Sequence, residues 1–257
     1  MTGDGMDANC ELFSLQSRVA VVTGGSRGIG LVIAQAFRKA GATVAVVDLA
    51  IDDATPRVEG MPAYRCDVTD ENAVGAALDR VSKDLGTVDV LVNNAGINSL
   101  GPAESYPTAT WRKVLDTNLT GAFFCARHVG ARLIREQRPG RIINIASVMG
   151  HVAPSMHNAV AYSAAKSGML GLTRALAVEW AKHAINVNAI CPGMILTDLT
   201  SSRMTDKSYE AAMRGRIPNG RFGTPEDLVG AAVFLASPAA EIVTGHALNV
   251  DAGWMAA

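Results

Sequence analysis

Tyr162 and Lys166 stand four residues apart and carry the most definite chemistry in this sequence. They lie in a stretch, about 159–182, whose apolar spacing is helical, so their side chains share one face. A free phenol, with a pKa near about 10, is a poor base at neutral pH. An ammonium beside it favours the phenolate. A phenol activated in that way can take a proton from an alcohol or return one to a ketone. Ser147 follows Arg141-Ile142-Ile143-Asn144-Ile145-Ala146, a run that reads as a strand, and its hydroxyl there can hold a substrate oxygen. Each also has a plainer reading: a helix tyrosine beside a solvated lysine, and a serine that ends a strand.

A second group lies near the N-terminus. Val19–Val22 reads as a buried strand, and Leu31–Phe37 takes up helical spacing. Between them stand Gly24, Gly28 and Gly30, with Ser26, Arg27 and Ile29 interspersed. A strand, a glycine turn and a helix start together make a place for an anion, through exposed N–H groups and the helix dipole. Gly24 suits backbone angles closed to other residues, Gly28 lets a phosphate approach, and Gly30 lets helix and strand pack tightly. The spacing Gly-x-x-x-Gly-x-Gly differs from the general dinucleotide fingerprint, Gly-x-Gly-x-x-Gly. A turn that merely packs helix on sheet would look similar. Asp48 ends a second strand, about 42–47, and is followed by Leu49. A carboxylate there can accept the ribose hydroxyls of an adenosine. Its plainer role is a surface acid at a strand end.

These groups need elements that bring them together, and the pattern supplies them. Strands are expected at 63–66, 88–92, 141–146, 185–190 and 247–250 besides the two above, alternating with helices at about 70–83, 108–135, 159–182 and 225–236. Thr69 or Asp70 caps the first of these, and Thr224-Pro225-Glu226-Asp227 opens the last. Several strands are apolar on both sides, the mark of a parallel sheet covered by helices. The expected fold is α/β: one doubly wound Rossmann domain, residues 17–257, with a central, mostly parallel seven-stranded sheet. Residues 1–16 are polar and aperiodic, and a flexible tail is expected there. Ligands belong at the carboxyl ends of the strands.

Composition narrows the function classes. In 257 residues, 49% are hydrophobic, and 23 basic residues face 24 acidic ones. So small a net charge argues against nucleic-acid or membrane-surface partners. Cys10, Cys66, Cys125 and Cys191 form no Cys-x-x-Cys pair, and free thiols in a reducing cytoplasm are expected. No metal-ligand cluster stands out among the five histidines. There is no secretory signal pattern and no apolar run of the roughly 18 residues that span a bilayer.

The glycine turn, Asn93-Asn94-Ala95-Gly96, Ser147, Tyr162-Ser163-Ala164-Ala165-Lys166 and Pro192-Gly193 follow in the order and near the spacing of the short-chain dehydrogenase/reductases, which the chain resembles over about 15–255. The resemblance implies an oxidoreductase that moves a hydride between a nicotinamide cofactor and an alcohol or ketone. It implies that Tyr162 is the general acid/base and that Lys166 also bonds the nicotinamide ribose. Asn118 then matches a helix asparagine that holds a water in a proton relay. Asp67, with Val68 beside it, matches the adenine contact, although capping the next turn is an equal role for it. Asn94, Ala95 and Gly96 lie along the cofactor, and Asn93 or Asn94 can instead simply bond loop backbone. Pro192 and Gly193 lead to Ile195 and Thr197, which match contacts to the nicotinamide carboxamide. Residues 198–220 become a lid over the substrate. Asp48 selects NAD: two unit charges about 4 Å apart at an intermediate dielectric repel by about 4 kcal/mol, which disfavours the extra phosphate of NADP. Arg27 pulls the other way, since a basic turn residue helps bind that phosphate in some members.

The stretch from Ser147 to Tyr162 is longer than is usual in the family and is similar to polyol dehydrogenases acting on mannitol or arabinitol. Arg216–Leu228 and Val250–Trp254 are similar to gluconate 5-dehydrogenases and deoxyketogluconate dehydrogenases, apart from Ala252, where relatives usually carry glycine. A polyol, sugar or sugar acid is the expected substrate, met by Ser147, Met149, Tyr162 and Met194. An acyl-chain or steroid-like ketone is the second reading, with Met149, Met156, Met194 and Met204 as an apolar pocket. A non-catalytic NAD-binding sensor or scaffold is the reading of another class. Ala- and Gly-rich faces on the helices at 108–135 and 159–182, which pair in relatives, imply a homotetramer with Trp254 near a subunit boundary.

Overall fold

The computed structural model describes residues 11–52, 54, 56–153, 158–197, 200 and 205–257. Strands β1 (Val19–Thr23), β2 (Thr43–Asp48), β3 (Arg57–Val58), β4 (Met61–Arg65), β5 (Val90–Asn93), β6 (Gly140–Ile145), β7 (Ile185–Pro192) and β8 (Ala247–Val250) form one sheet in the order β3-β4-β2-β1-β5-β6-β7-β8. Seven run parallel, and these are the seven the sequence pattern marks. The eighth corrects that expectation. β3 pairs antiparallel with β4 through Arg57↔Pro62 and Val58↔Met61. It is too short to show a period, and its hairpin rests on Glu59 and Gly60, both at positive φ, 49° and 78°.

Helices α1 (Gly28–Lys39), α2 (Glu71–Leu85), α3 (Thr108–Leu115), α4 (Gly121–Arg135), α5 (Val160–Trp180), α6 (Lys207–Arg214) and α7 (Val229–Ala236) complete the fold. The sheet is buried on both faces, and β1 shows why its run of apolar residues is needed. Ala20 and Val22 pack with Ile33 and Phe37 of α1 and Leu235 of α7. Val19 and Val21 pack with Leu78 of α2, Leu133 of α4 and Trp180 of α5. Each such fully buried large side chain contributes about 1.5–3 kcal/mol. Asp70 caps α2 by accepting the N–H groups of Asn72 and Ala73. Thr224 and Asp227 form the expected capping box before α7.

Two boundaries differ from the pattern. Leu15 is wholly buried, and its N–H donates to the Ala40 carbonyl at 2.8 Å, so the segment assigned to a tail contributes a core residue. Leu12, Phe13 and Leu15 form too short a run to show a period, and only Leu15 is buried. Residues 1–10 lie outside the described residues. The expected continuous helix over 108–135 is broken by a π-helical turn, Asp116–Thr120, which carries Asn118. The Asn118 amide donates to the Val114 carbonyl at 2.8 Å, a side chain inserted into the helical ladder.

β1 lies between β2 and β5. Successive strands run outward from it in opposite directions, so the loops after β1 and β5 part and leave a crevice at their carboxyl ends.

Candidate active site

That crevice is a cavity of about 750 Å³. Its walls come from the ends of six parallel strands: Gly24 after β1, Asp48 at the end of β2, Asp67 after β4, Asn94 after β5, Ser147 after β6 and Pro192 at the end of β7. Nearly every residue that the sequence marks faces it, from Arg27, Gly28 and Ile29 at one end to Met149, Tyr162, Lys166 and Met194 at the other. Ser26 and Gly30 are not among its walls. A Cβ at Gly30 would collide with the Gly24 carbonyl oxygen, so this glycine serves packing.

The glycine end is built as an anion cradle. Gly24 and Gly28 hold positive φ, 62° and 55°. A Cβ on Gly24 would stand 2.8 Å from the Ala95 backbone, whereas beside Gly28 there is open space nearly to Thr197. No side chain caps the start of α1, and its first turn carries no acid, so its N–H groups remain available to a ligand. Asn94 fixes the turn: its amide donates to the carbonyls of Thr23 at 3.0 Å and Gly24 at 2.9 Å. Asp48 lies beyond. One carboxylate oxygen accepts the Ser26 N–H and hydroxyl, and the other accepts the Ala50 N–H. Asp67 faces the cavity yet also closes its local turn, accepting the Thr69 N–H at 2.9 Å and hydroxyl at 2.7 Å. An uncapped helix start, a glycine turn and a carboxylate at the next strand end fit a dinucleotide.

At the other end, Lys166 is 4% exposed and donates to the Ile145 carbonyl at 2.7 Å. Its ammonium lies 5.4 Å from the centre of the Tyr162 ring. Burial pushes the lysine pKa down to about 8. The lysine is therefore charged at neutral pH but held there at a cost. Ser147 is nearly buried, and its oxygen accepts the Met149 N–H at 3.1 Å. That bond orients the hydroxyl and leaves its proton to donate. Asn118 is fully buried; its amide donates to Ile97 and Val114, and its carbonyl oxygen has no partner among the described residues. Such an oxygen is an acceptor waiting for a donor.

The walls include residues that the sequence did not mark, among them Asn98, Lys113, Thr117 and Thr200. Thr200 has a legible signal, a threonine three residues after Thr197. Its hydroxyl donates to the Ile195 carbonyl at 2.7 Å and accepts the Thr197 N–H at 2.9 Å. The base of the expected lid is tied twice, Leu196 N–H to the Gly223 carbonyl and Gly223 N–H to the Met194 carbonyl, each at 2.9 Å. Between these ties, α6 packs through Met213 on Ile217, Phe222 and Trp254. Residues 198, 199 and 201–204, with Met204, lie outside the described residues, as does Met156. Ala252 sits at φ 57°, beside Gly253 at 90°. This left-handed position costs an alanine roughly 1–2 kcal/mol, a cost that glycine would not bear.

The chain is similar to known proteins over nearly its whole length. A family model described as enoyl-(acyl carrier protein) reductase matches residues 24–255. A 2-dehydro-3-deoxy-D-gluconate 5-dehydrogenase of Pseudoalteromonas atlantica is 40% identical over 257 residues, 95% of this chain and 98% of the relative. A D-threitol dehydrogenase of Mycolicibacterium smegmatis is 39% identical over 249 residues, 94% of each chain. The crystal structure of a gluconate 5-dehydrogenase from Burkholderia cenocepacia, in complex with NADP and tartrate, is similar with TM-score 0.90 at 34% identity. It covers 97% of this chain and 99% of that one.

Proposed function

This chain belongs to the short-chain dehydrogenase/reductase family, and from that premise we propose that it interconverts a secondary alcohol and a ketone on a polyol, sugar or sugar acid, with NAD as its cofactor. The observation that carries this reading is the sharing of one cavity by Tyr162, Lys166 and Ser147 at one end and by the glycine cradle and Asp48 at the other. When bound, the nicotinamide supplies or accepts the hydride.

The chain's own residues do the rest. The N–H groups at the start of α1 hold the pyrophosphate, and Asp48 holds the adenosine ribose. Ile195 and Thr197 hold the carboxamide, and Lys166 the nicotinamide ribose. Ser147 donates to the substrate oxygen. Tyr162 takes the alcohol proton in oxidation and returns it in reduction. The Lys166 ammonium stabilises the phenolate that this requires. Asn118, through its unpartnered oxygen, holds a water that passes the proton outward.

The names of the relatives favour a polyhydroxylated substrate: a threitol dehydrogenase and dehydrogenases of gluconate and of a deoxygluconate derivative. Met149 and Met194 in the walls favour, as a second reading, an apolar ketone such as a 3-oxoacyl chain. NAD over NADP rests on the Asp48 charge, against Arg27 in the same wall; structures of relatives hold NADP. A panel of polyols, sugar acids and apolar alcohols, each with NAD and with NADP, tests the whole reading by absorbance of the reduced cofactor. Turnover of a polyol or sugar acid with NAD is expected. Silence on every substrate together with measurable NADH binding would favour a sensor, and turnover of apolar alcohols alone would favour the second reading.

The assembly we propose is a homotetramer in the cytoplasm. On the outer side of α5, Val178 is 82% exposed, and a Cβ on Gly171 would meet nothing within 4 Å. Such a face suits close approach of a second helix. Light scattering should give about four chain masses, and a monomer would refute this assembly. No helix among the described residues is long and apolar enough to cross a membrane.

A further inference from the structure

Ser26 belongs to the glycine turn, yet its polar groups point away from the cradle. Its hydroxyl donates to Oδ2 of Asp48 at 2.6 Å, and its N–H donates to the same oxygen at 3.1 Å. Oδ1 accepts the Ala50 N–H at 3.0 Å. A carboxylate offers roughly four acceptor positions. Three are filled by the protein itself, two of them by one residue, and the open one is on Oδ1. The hydroxyl bond also joins the loop after β1 to the end of β2. Leu49, the next residue, is 56% exposed. A serine hydroxyl has one proton to give, and here it is committed to Asp48.

We infer that Ser26 is a positioning residue for cofactor choice. It holds Asp48 so that one acceptor position faces the adenosine ribose and the negative charge stays where a 2′-phosphate would come. A phosphate gains no donor from the Ser26 hydroxyl while that bond stands. The inference rests on the proposed preference for NAD.

Calorimetry with NADH and NADPH, giving a Kd ratio for the wild type, Ser26→Ala, Ser26→Thr, Asp48→Ala and the Ser26→Ala/Asp48→Ala pair, tests it. Ser26→Ala should weaken NADH about tenfold and NADPH hardly at all, as expected for loss of one hydrogen bond to a charged group. Ser26→Thr, which keeps the hydroxyl, should restore the ratio. In the absence of the Asp48 carboxylate, Ser26→Ala should change nothing further. Equal weakening of both cofactors by Ser26→Ala would mean general damage to the turn and would overturn the role. So would a collapse of discrimination in Asp48→Ala with none in Ser26→Ala, although the NAD preference would then survive. Unchanged discrimination in Asp48→Ala would instead sink the NAD reading itself, and the positioning role with it.

Discussion

Tyr162→Phe should remove nearly all turnover, by a factor of about 10³ or more, while NADH binds within about twofold of the wild type. The ring stays and only the oxygen goes, so packing beside Lys166 is kept. The loss expected from removing a positioned general acid/base is about 10²–10⁴. The upper part of that range applies because the alternative proton acceptors are poor. Lys166 is cationic at neutral pH, Ser147 has no base of its own, and the Asn118 amide does not titrate. Initial rates with the best substrate of the panel, beside a fluorescence titration with NADH, measure the two quantities separately. Retention of a tenth of the activity would mean that the wrong base has been named. Loss of NADH binding together with turnover would mean that the phenylalanine had disturbed the cofactor site.

The site was legible in the sequence to the extent that it depends on strand ends. The central parallel strands β1, β2, β5, β6 and β7 are largely buried apolar runs, and the residues that end or follow them line the crevice. Gly24, Asp48, Asn94 and Ser147 could therefore be placed before any coordinates. Tyr162 and Lys166 were legible through helical spacing. What was not legible depends on side chains meeting across distant segments. The Asn94 amide sits on the Thr23 and Gly24 carbonyls, and the Ser26 hydroxyl on Asp48. Neither bond has a periodic signature, because each joins loops about 70 and 22 residues apart. The π-turn at Asn118 was hidden for a related reason. Its apolar pattern continues across the break, and only the amide donating to Ile97 and Val114 betrays it. β3 was missed because two residues cannot show alternation. Lys113 and Thr117 reach the cavity through the placing of α3 and the π-turn against the β5 loop, which composition does not encode.

Lys166→Met should yield a protein that turns over about 10³-fold more slowly and is nonetheless more stable at neutral pH. The methionine keeps an apolar stem in a site where Lys166 is 4% exposed, and it leaves no charge to bury. The activity loss follows from the phenol: without the ammonium 5.4 Å from its ring centre, Tyr162 loses the positive charge that favours its phenolate. The stability gain follows from linkage. Burial lowers the lysine pKa from 10.5 to about 8 in the folded chain. Below about 8 both states carry the proton, and the folded state bears the full cost of a buried ammonium. Between about 8 and 10.5 the unfolded chain binds more protons, so wild-type stability rises with pH relative to the methionine variant. Above 10.5 neither state is charged and that cost is gone. The gap between variant and wild type should therefore shrink by at most about 3 kcal/mol from neutral pH to the top of this window. Urea denaturation of both proteins at a series of pH values reads that gap, and comparing the pair removes titrations common to both. A gap independent of pH would mean that Lys166 is solvated in the folded protein, and its charge would then lose the leverage on Tyr162 that a dry site provides. A gap that closes as described, with activity lost, would identify the lysine as a group retained for chemistry against the stability of the fold.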